Sequence, residues 1–188
     1  MSIHRSAQSS CAASAFGLLT ASILTLGHTD SVQAQTSVTT CVGTTQAQYS
    51  PGLTLVPRPT SVTFSETYST CTSTSQPAIT AATVPTAQIQ QDRSCATLLG
   101  VSPDPITQTV VWNTGQTSTF QYTRVVTNVG GVLQIVGTGM VTTGLFQGAS
   151  VVRILVLASL DPLQTLACLT SAGLTSVSGT ASLTFTQL

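Results

Sequence analysis

Apolar and polar residues alternate with a period of two along much of this chain. The clearest stretch is 176–186, SVSGTASLTFT. Val177, Gly179, Ala181, Leu183 and Phe185 share one parity, while Ser176, Ser178, Thr180, Ser182 and Thr184 share the other. Successive strand residues face opposite sides, so this reads as a half-buried strand with a hydroxyl-covered outer face. Short alternating runs rich in Val and Thr predict further strands at 37–43, 54–57, 61–68, 79–84, 106–112, 117–127, 132–143 and 150–158. The run 151–158, VVRILVLA, is apolar on both parities apart from Arg153, and is expected to cross the middle of the fold. Residues 70–91, rich in Ser, Thr, Ala and Gln, read as the most loop-like part. Segments 92–100 and 163–170 each have room for one helical turn around a cysteine, with Asp92 capping the first.

The stretch VVWNTGQTSTFQYTR (110–124) holds the only tryptophan, and register decides which way its aromatics face. A three-residue loop with Gly115 in the left-handed bulge position pairs Trp112 with Gln116, Val110 with Ser118, Gln108 with Phe120 and Ile106 with Tyr122. Ile106, Val110, Trp112, Phe120 and Tyr122 then share one face. A two-residue loop would split the aromatics between faces, against the hydrophobic pattern. A turn at Gly130-Gly131 extends the agreement: Val129 pairs with Val132, Val126 with Ile135, Phe120 with Val141, Tyr122 with Gly139 and Arg124 with Gly137. Leu133, Ile135 and Val141 join the same face, which is therefore core. Tyr122 over Gly139 is a packing device of β-proteins.

Arg124 falls on this apolar parity. It reads as a strand-end arginine whose stem packs on Tyr122 and whose head reaches water or Glu66. The alternative is a shallow pocket of Arg124, Tyr122, Gly137 and Gly139, where the guanidinium fork holds a carboxylate or a sugar hydroxyl.

Many short antiparallel strands with Gly-rich turns predict an all-β fold, an antiparallel β-sandwich of about eight to nine strands. The N-terminus reads as a secretory signal: Arg5 and the amino terminus, a short apolar run at 14–27, then Val32-Gln33-Ala34 before a cleavage point. The apolar run is shorter than the roughly 20 residues of a membrane span, so the mature chain, one domain over 35–188, is expected to be secreted and not inserted in a membrane. Cys11 leaves with the signal. Cys41, Cys71, Cys95 and Cys168 remain, and an even count in an exported chain implies disulfides. Of the three connectivities, 41–71 with 95–168 is preferred. It pairs the N-terminal two locally and joins two similar Cys-plus-Leu turns.

Composition narrows the chemistry. Charged residues are 5% of the chain, against roughly 25% in ordinary soluble proteins. After residue 34, Arg58, Arg93, Arg124 and Arg153 balance Glu66, Asp92, Asp104 and Asp161. No basic patch exists to neutralise nucleic-acid phosphates. His4 and His28 leave with the signal and lysine is absent, so histidine- or lysine-based catalysis and histidine-ligated metals are closed off. No cofactor, metal site or catalytic residue is expected. The surviving enzymatic alternative is a glycoside hydrolase using Glu66 and an Asp.

The segments TCVGTTQAQYSPGLTL (40–55), WNTGQTSTFQYTR (112–124) and CLTSAGLTSVSGTASLTF (168–185) resemble small uncharacterised secreted actinobacterial proteins. The resemblance implies an immunoglobulin-like β-sandwich, and it carries over no functional residue. The resulting expectation is a secreted, non-catalytic protein acting by extracellular binding or surface coating. Its partner would be a glycan, an envelope polymer or the protein itself. A secreted inhibitor or toxin presenting loop 70–91 is a further alternative.

Overall fold

The alternating runs become eight strands, each antiparallel to the one before it. A computed structural model describes residues 36–99, 105–129, 132–157 and 166–188; the expected signal segment lies outside them. The strands are β1 (Ser37–Leu53), β2 (Arg58–Ser73), β3 (Ala82–Arg93), β4 (Ile106–Trp112), β5 (Thr117–Val129), β6 (Val132–Gly144), β7 (Ser150–Leu157) and β8 (Leu174–Gln187). A single 3-10 turn, Ala96–Leu99, follows β3. β8 pairs back onto β1, from Ser37 opposite Gln187 to Leu53 opposite Leu174, so the sheet closes into a barrel.

The expected immunoglobulin-like sandwich is therefore wrong, although the strand count is right. A sandwich strand and a small-barrel strand both bury one parity, so alternation alone does not separate them. Length and coiling do. β1 and β2 run 17 and 16 residues, where a globular strand is typically about 5–6. Such long strands coil, and the coil is tightened where inward-facing glycines let neighbouring backbones close in. A Cβ at Gly43 would stand 1.9 Å from the Thr67 carbonyl oxygen, and one at Gly139 would stand 1.8 Å from that of Gln121. A register slip lies directly beside Gly43, between Val42 and Gly43, and another lies two pairs beyond Gly139, between Thr119 and Phe120. Bulges paired with glycine corners are how a sheet is bent shut.

The hairpin registers expected from sequence are all present. Ile106 faces Tyr122, Val110 faces Ser118, Arg124 faces Gly137 and Val129 faces Val132. The Trp112 amide donates to the Gln116 carbonyl, and Gly115 has φ of 81°. Elsewhere the reading needs correction. Residues 54–57 form a turn, because β1 continues to Leu53. Residues 70–73 and 82–91 are strand, which leaves 74–81 as the connection and removes the long inhibitor-like loop. Asp92 is the penultimate residue of β3 and, among the described residues, caps nothing. Ser94 caps the 3-10 turn, with the Thr97 amide and hydroxyl answering its side chain and backbone. β7 is an ordinary wall strand: Val151, Arg153, Leu155 and Leu157 point inward, while Val152, Ile154 and Val156 sit on the outside. A closed barrel has no central strand buried on both faces.

The two barrel ends differ. At one, Trp112, Phe120, Phe146 and Phe185 pack edge-on or stacked, with centroids 5.4–5.9 Å apart. The Trp112 indole N–H is satisfied by the Ser118 hydroxyl at 2.9 Å. Cys41 and Cys71, directly opposite on β1 and β2, are joined. At the other end a second disulfide, Cys95–Cys168, ties the β3–β4 connection to the β7–β8 connection. Both pairings are those preferred from sequence. The Cys95 amide also donates to the Thr54 carbonyl, and Leu98 and Ala167 pack onto the core beneath the staple.

Candidate functional site

Barrel interiors of eight strands are narrow, and most inward positions here are apolar. Two are not. Glu66 on β2 and Arg153 on β7 are 2% and 3% exposed and form an ion pair inside the barrel. Arg153 Nε donates to Glu66 Oε2 at 3.2 Å, its Nη2 bonds Oε1, and the Tyr68 hydroxyl donates to Oε2 at 2.6 Å. The guanidinium carbon lies 5.3 Å from the Phe64 ring centre and 5.5 Å from that of Tyr122. Burial pushes the Arg153 pKa down to about 9, which leaves it cationic at neutral pH opposite a carboxylate. A buried pair satisfied on both sides contributes structure, not reactivity.

This corrects two expectations. Glu66 pairs with Arg153, not with Arg124. Gly137 lies between Arg124 on β5 and Arg153 on β7 in register, and the Tyr122 ring covers it: a Cβ there would meet Cδ2 at 2.6 Å. Arg153 takes the inner side of that ring, and Arg124 lies two residues further along β5. The carboxylate hydrolase also loses its support. Glu66 is held in three hydrogen bonds, Asp92 is exposed on the outer parity of β3, and Asp104 and Asp161 lie outside the described residues. Among the described residues no three His, Cys, Asp or Glu converge as metal ligands.

Toward the stapled end a second polar group collects. Tyr49 of β1, Arg93 of β3, Gln108 of β4 and Arg124 of β5 all stand on inward parities. Tyr49 is buried, and burial raises its hydroxyl pKa to about 12 against the opposing pull of Arg93 and Arg124. The Arg93 pKa is lowered, first by burial and then by the charge of Arg124. Arg58 at the same end is tied to the Gly52 carbonyl, with Nε at 3.0 Å. Among the described residues, Arg93 hydrogen-bonds only to the Gln91 side chain. Arg124 Nε and Gln108 Oε1 are both buried with no hydrogen-bond partner. Among the described residues, the one ion pair is Glu66–Arg153.

Of the residues singled out from sequence, Arg124, Tyr122 and Gly137 do come together. Gly139 pairs with Tyr122 in register, where a Cβ would meet the Gln121 and Tyr122 backbone, while the Tyr122 ring itself lies over Gly137. Sequence reasoning missed Tyr49, Arg93, Gln108 and Arg153. Gln108 was findable, since the expected register already set it opposite Phe120. Arg153 was visible as the one charge in an apolar run. Tyr49 and Arg93 were hidden because their segments did not read as strand.

All three tyrosines lie inside the barrel, and burial raises each pKa, that of Tyr122 also to about 12. A folded-state pKa above the unfolded value of about 10 means the unfolded chain releases protons first as pH rises. Stability is then complete below pH 10 and declines between pH 10 and 12. Absorbance at 295 nm should show no phenolate at pH 10.5, and its rise should coincide with loss of near-UV dichroism. A phenolate signal in the folded protein at pH 10 would show that a ring reaches water.

What fold and site define is an eight-stranded up-and-down barrel with a neutralised ion pair inside and a cationic group at one end. No family model, curated protein or solved structure matches the chain. The resemblance to secreted immunoglobulin-like proteins finds no support there, and the closed barrel contradicts the fold it implied.

Proposed function

We propose that this barrel is an extracellular binding protein that takes a small molecule at its stapled end and performs no chemistry on it. The observation that carries the reading is the pair of buried, unpartnered polar atoms, Arg124 Nε and Gln108 Oε1. Leaving such groups unsatisfied costs about 1–3 kcal/mol each, so a fold that keeps them is improved by a ligand that answers them. Eight-stranded barrels are wide enough to hold one small ligand. The outer faces of β1, β2 and β8 carry Thr40, Thr44, Thr63, Thr67, Thr180 and Thr184, with serines and glutamines between them. That wall suits water, whereas a membrane barrel turns an apolar band about 25 Å tall outward. The secretory signal read at 1–34 supports a place outside the cell. The lack of histidine and lysine after residue 34 supports binding over catalysis.

The test is a thermal-unfolding screen of the oxidised protein against small acids, sugars, amines and neutral apolar molecules. At least one compound should raise Tm in the parent, and the shift should shrink in Gln108→Leu. If no compound does so, and Gln108→Leu is less stable than the parent, the unpartnered groups are answered by water and the reading fails.

A further inference from the structure

Resting on that reading, we infer that the molecule is an amphiphilic carboxylate, its head held between Arg93 and Arg124 and its apolar chain lying along a parting in the wall between β3 and β4. The head follows from charge. Arg93 and Arg124 face the same space from β3 and β5, and among the described residues no acid other than the engaged Glu66 stands on an inward parity. Two like charges held together at a half-buried site call for an anion, and a guanidinium fork matches a carboxylate in plane and spacing. Gln108 and the Tyr49 hydroxyl lie on the same inner wall and supply neutral hydrogen-bonding groups.

The chain follows from the strand pairing. β3 and β4 are joined only at Ala82 opposite Trp112 and Thr83 opposite Val111. Beyond these, β3 remains paired with β2 as far as Arg93, and β4 pairs with β5 from Ile106 onward. The wall therefore parts over Ile106–Val110, about 15 Å at roughly 3.3 Å per residue. Along this parting the inward alternation continues, but cover is lost on the β3 side, where Ala87 and Ile89 are exposed, while Val110 of β4 stays fully buried. Ile89, opposite Val62, is 46% exposed, and Ile106 is half-buried. Apolar inward residues left bare beside a cationic group describe a site for an apolar chain ending in an anion.

The experiment is isothermal titration of the oxidised protein with decanoate, decanol and acetate. Arg93→Met, Arg124→Met and Ile89→Asp are tested beside the parent, each checked by circular dichroism. Arg124→Met removes an unpartnered buried donor, so the variant should fold. Decanoate should bind at least tenfold more tightly than decanol or acetate. Each arginine variant should lose tenfold or more for decanoate with decanol unchanged, and Ile89→Asp should weaken both. If decanol binds as well as decanoate and the arginine variants are neutral, the carboxylate assignment falls while binding at the stapled end stands. If none of the three binds but a compound from the thermal screen does, the ligand class is wrong. If nothing binds in either experiment, both readings fall. Asp104→Asn and Asp161→Asn give a further arm: decanoate binding that appears only in one of these variants would show that the arginines are already neutralised, overturning the inference.

Discussion

Glu66→Gln should lower the stability of the barrel by about 3–5 kcal/mol, the usual cost of stripping one partner from a buried ion pair. The substitution keeps shape and volume, removes the charge and turns one accepting oxygen into a donor that faces other donors. It leaves the Arg153 guanidinium between the Phe64 and Tyr122 rings, 3% exposed, with no carboxylate to balance it. Arg153→Met should cost a similar amount for the opposite reason, because Glu66 would keep only the Tyr68 hydroxyl. The double variant Glu66→Leu with Arg153→Met should recover most of the loss. Two charges inside a protein forfeit several kcal/mol of hydration each, and well-packed apolar replacements of a buried pair are often neutral or better. Urea denaturation of the parent, Glu66→Leu, Arg153→Met and the double variant completes a double-mutant cycle, with Glu66→Gln measured beside it. Single variants within 1 kcal/mol of the parent would mean that water reaches the pair.

Removing the Cys95–Cys168 staple, by Cys95→Ala with Cys168→Ala, should cost about 4 kcal/mol in the chain-entropy account of cross-links. The two residues are 73 apart in sequence, against 30 for Cys41–Cys71. The logarithmic dependence on loop length makes the Cys41–Cys71 bridge worth about 0.8 kcal/mol less. The losses should also differ in place. Cys41 and Cys71 sit opposite each other in a continuous β1–β2 ladder that hydrogen bonds hold without them. Cys95 and Cys168 join two connections whose other ties, among the described residues, are few: one amide to Thr54, and the packing of Leu98 and Ala167 on the core. Amide hydrogen exchange should therefore quicken at 94–98 and 166–168 in the staple variant and leave β1 and β8 protected. Uniform quickening across the barrel would show that the staple supports the whole fold and not its end.

The two tests meet at the proposed binding end. The ion pair lies beneath it and the staple spans it, so ligand affinity should respond to each differently. Loss of the staple frees the cover while leaving Arg93 and Arg124 on their strands. Loss of Arg153 removes the cation stacked on Tyr122, the ring that lies over Gly137 beside Arg124.

Local patterning by itself determined much of this molecule. Alternation identified strands and the parity each would bury. The β4–β5 and β5–β6 registers followed from turn chemistry and the need to keep Trp112, Phe120 and Tyr122 on one face, because a one-residue slip reverses every side chain. Even the cysteine pairing was legible. Closure was decided only in three dimensions, since the pairing of β1 with β8 joins residues more than 120 positions apart and leaves no mark on local periodicity. So were the partners of the buried charges. Arg124 and Arg153 both lie on inward parities, and which one meets Glu66 depends on how the closed barrel brings β2 toward β7 and on the Tyr122 ring over Gly137. Alternation reports which side of a strand is buried; barrel curvature decides what each buried side chain meets there.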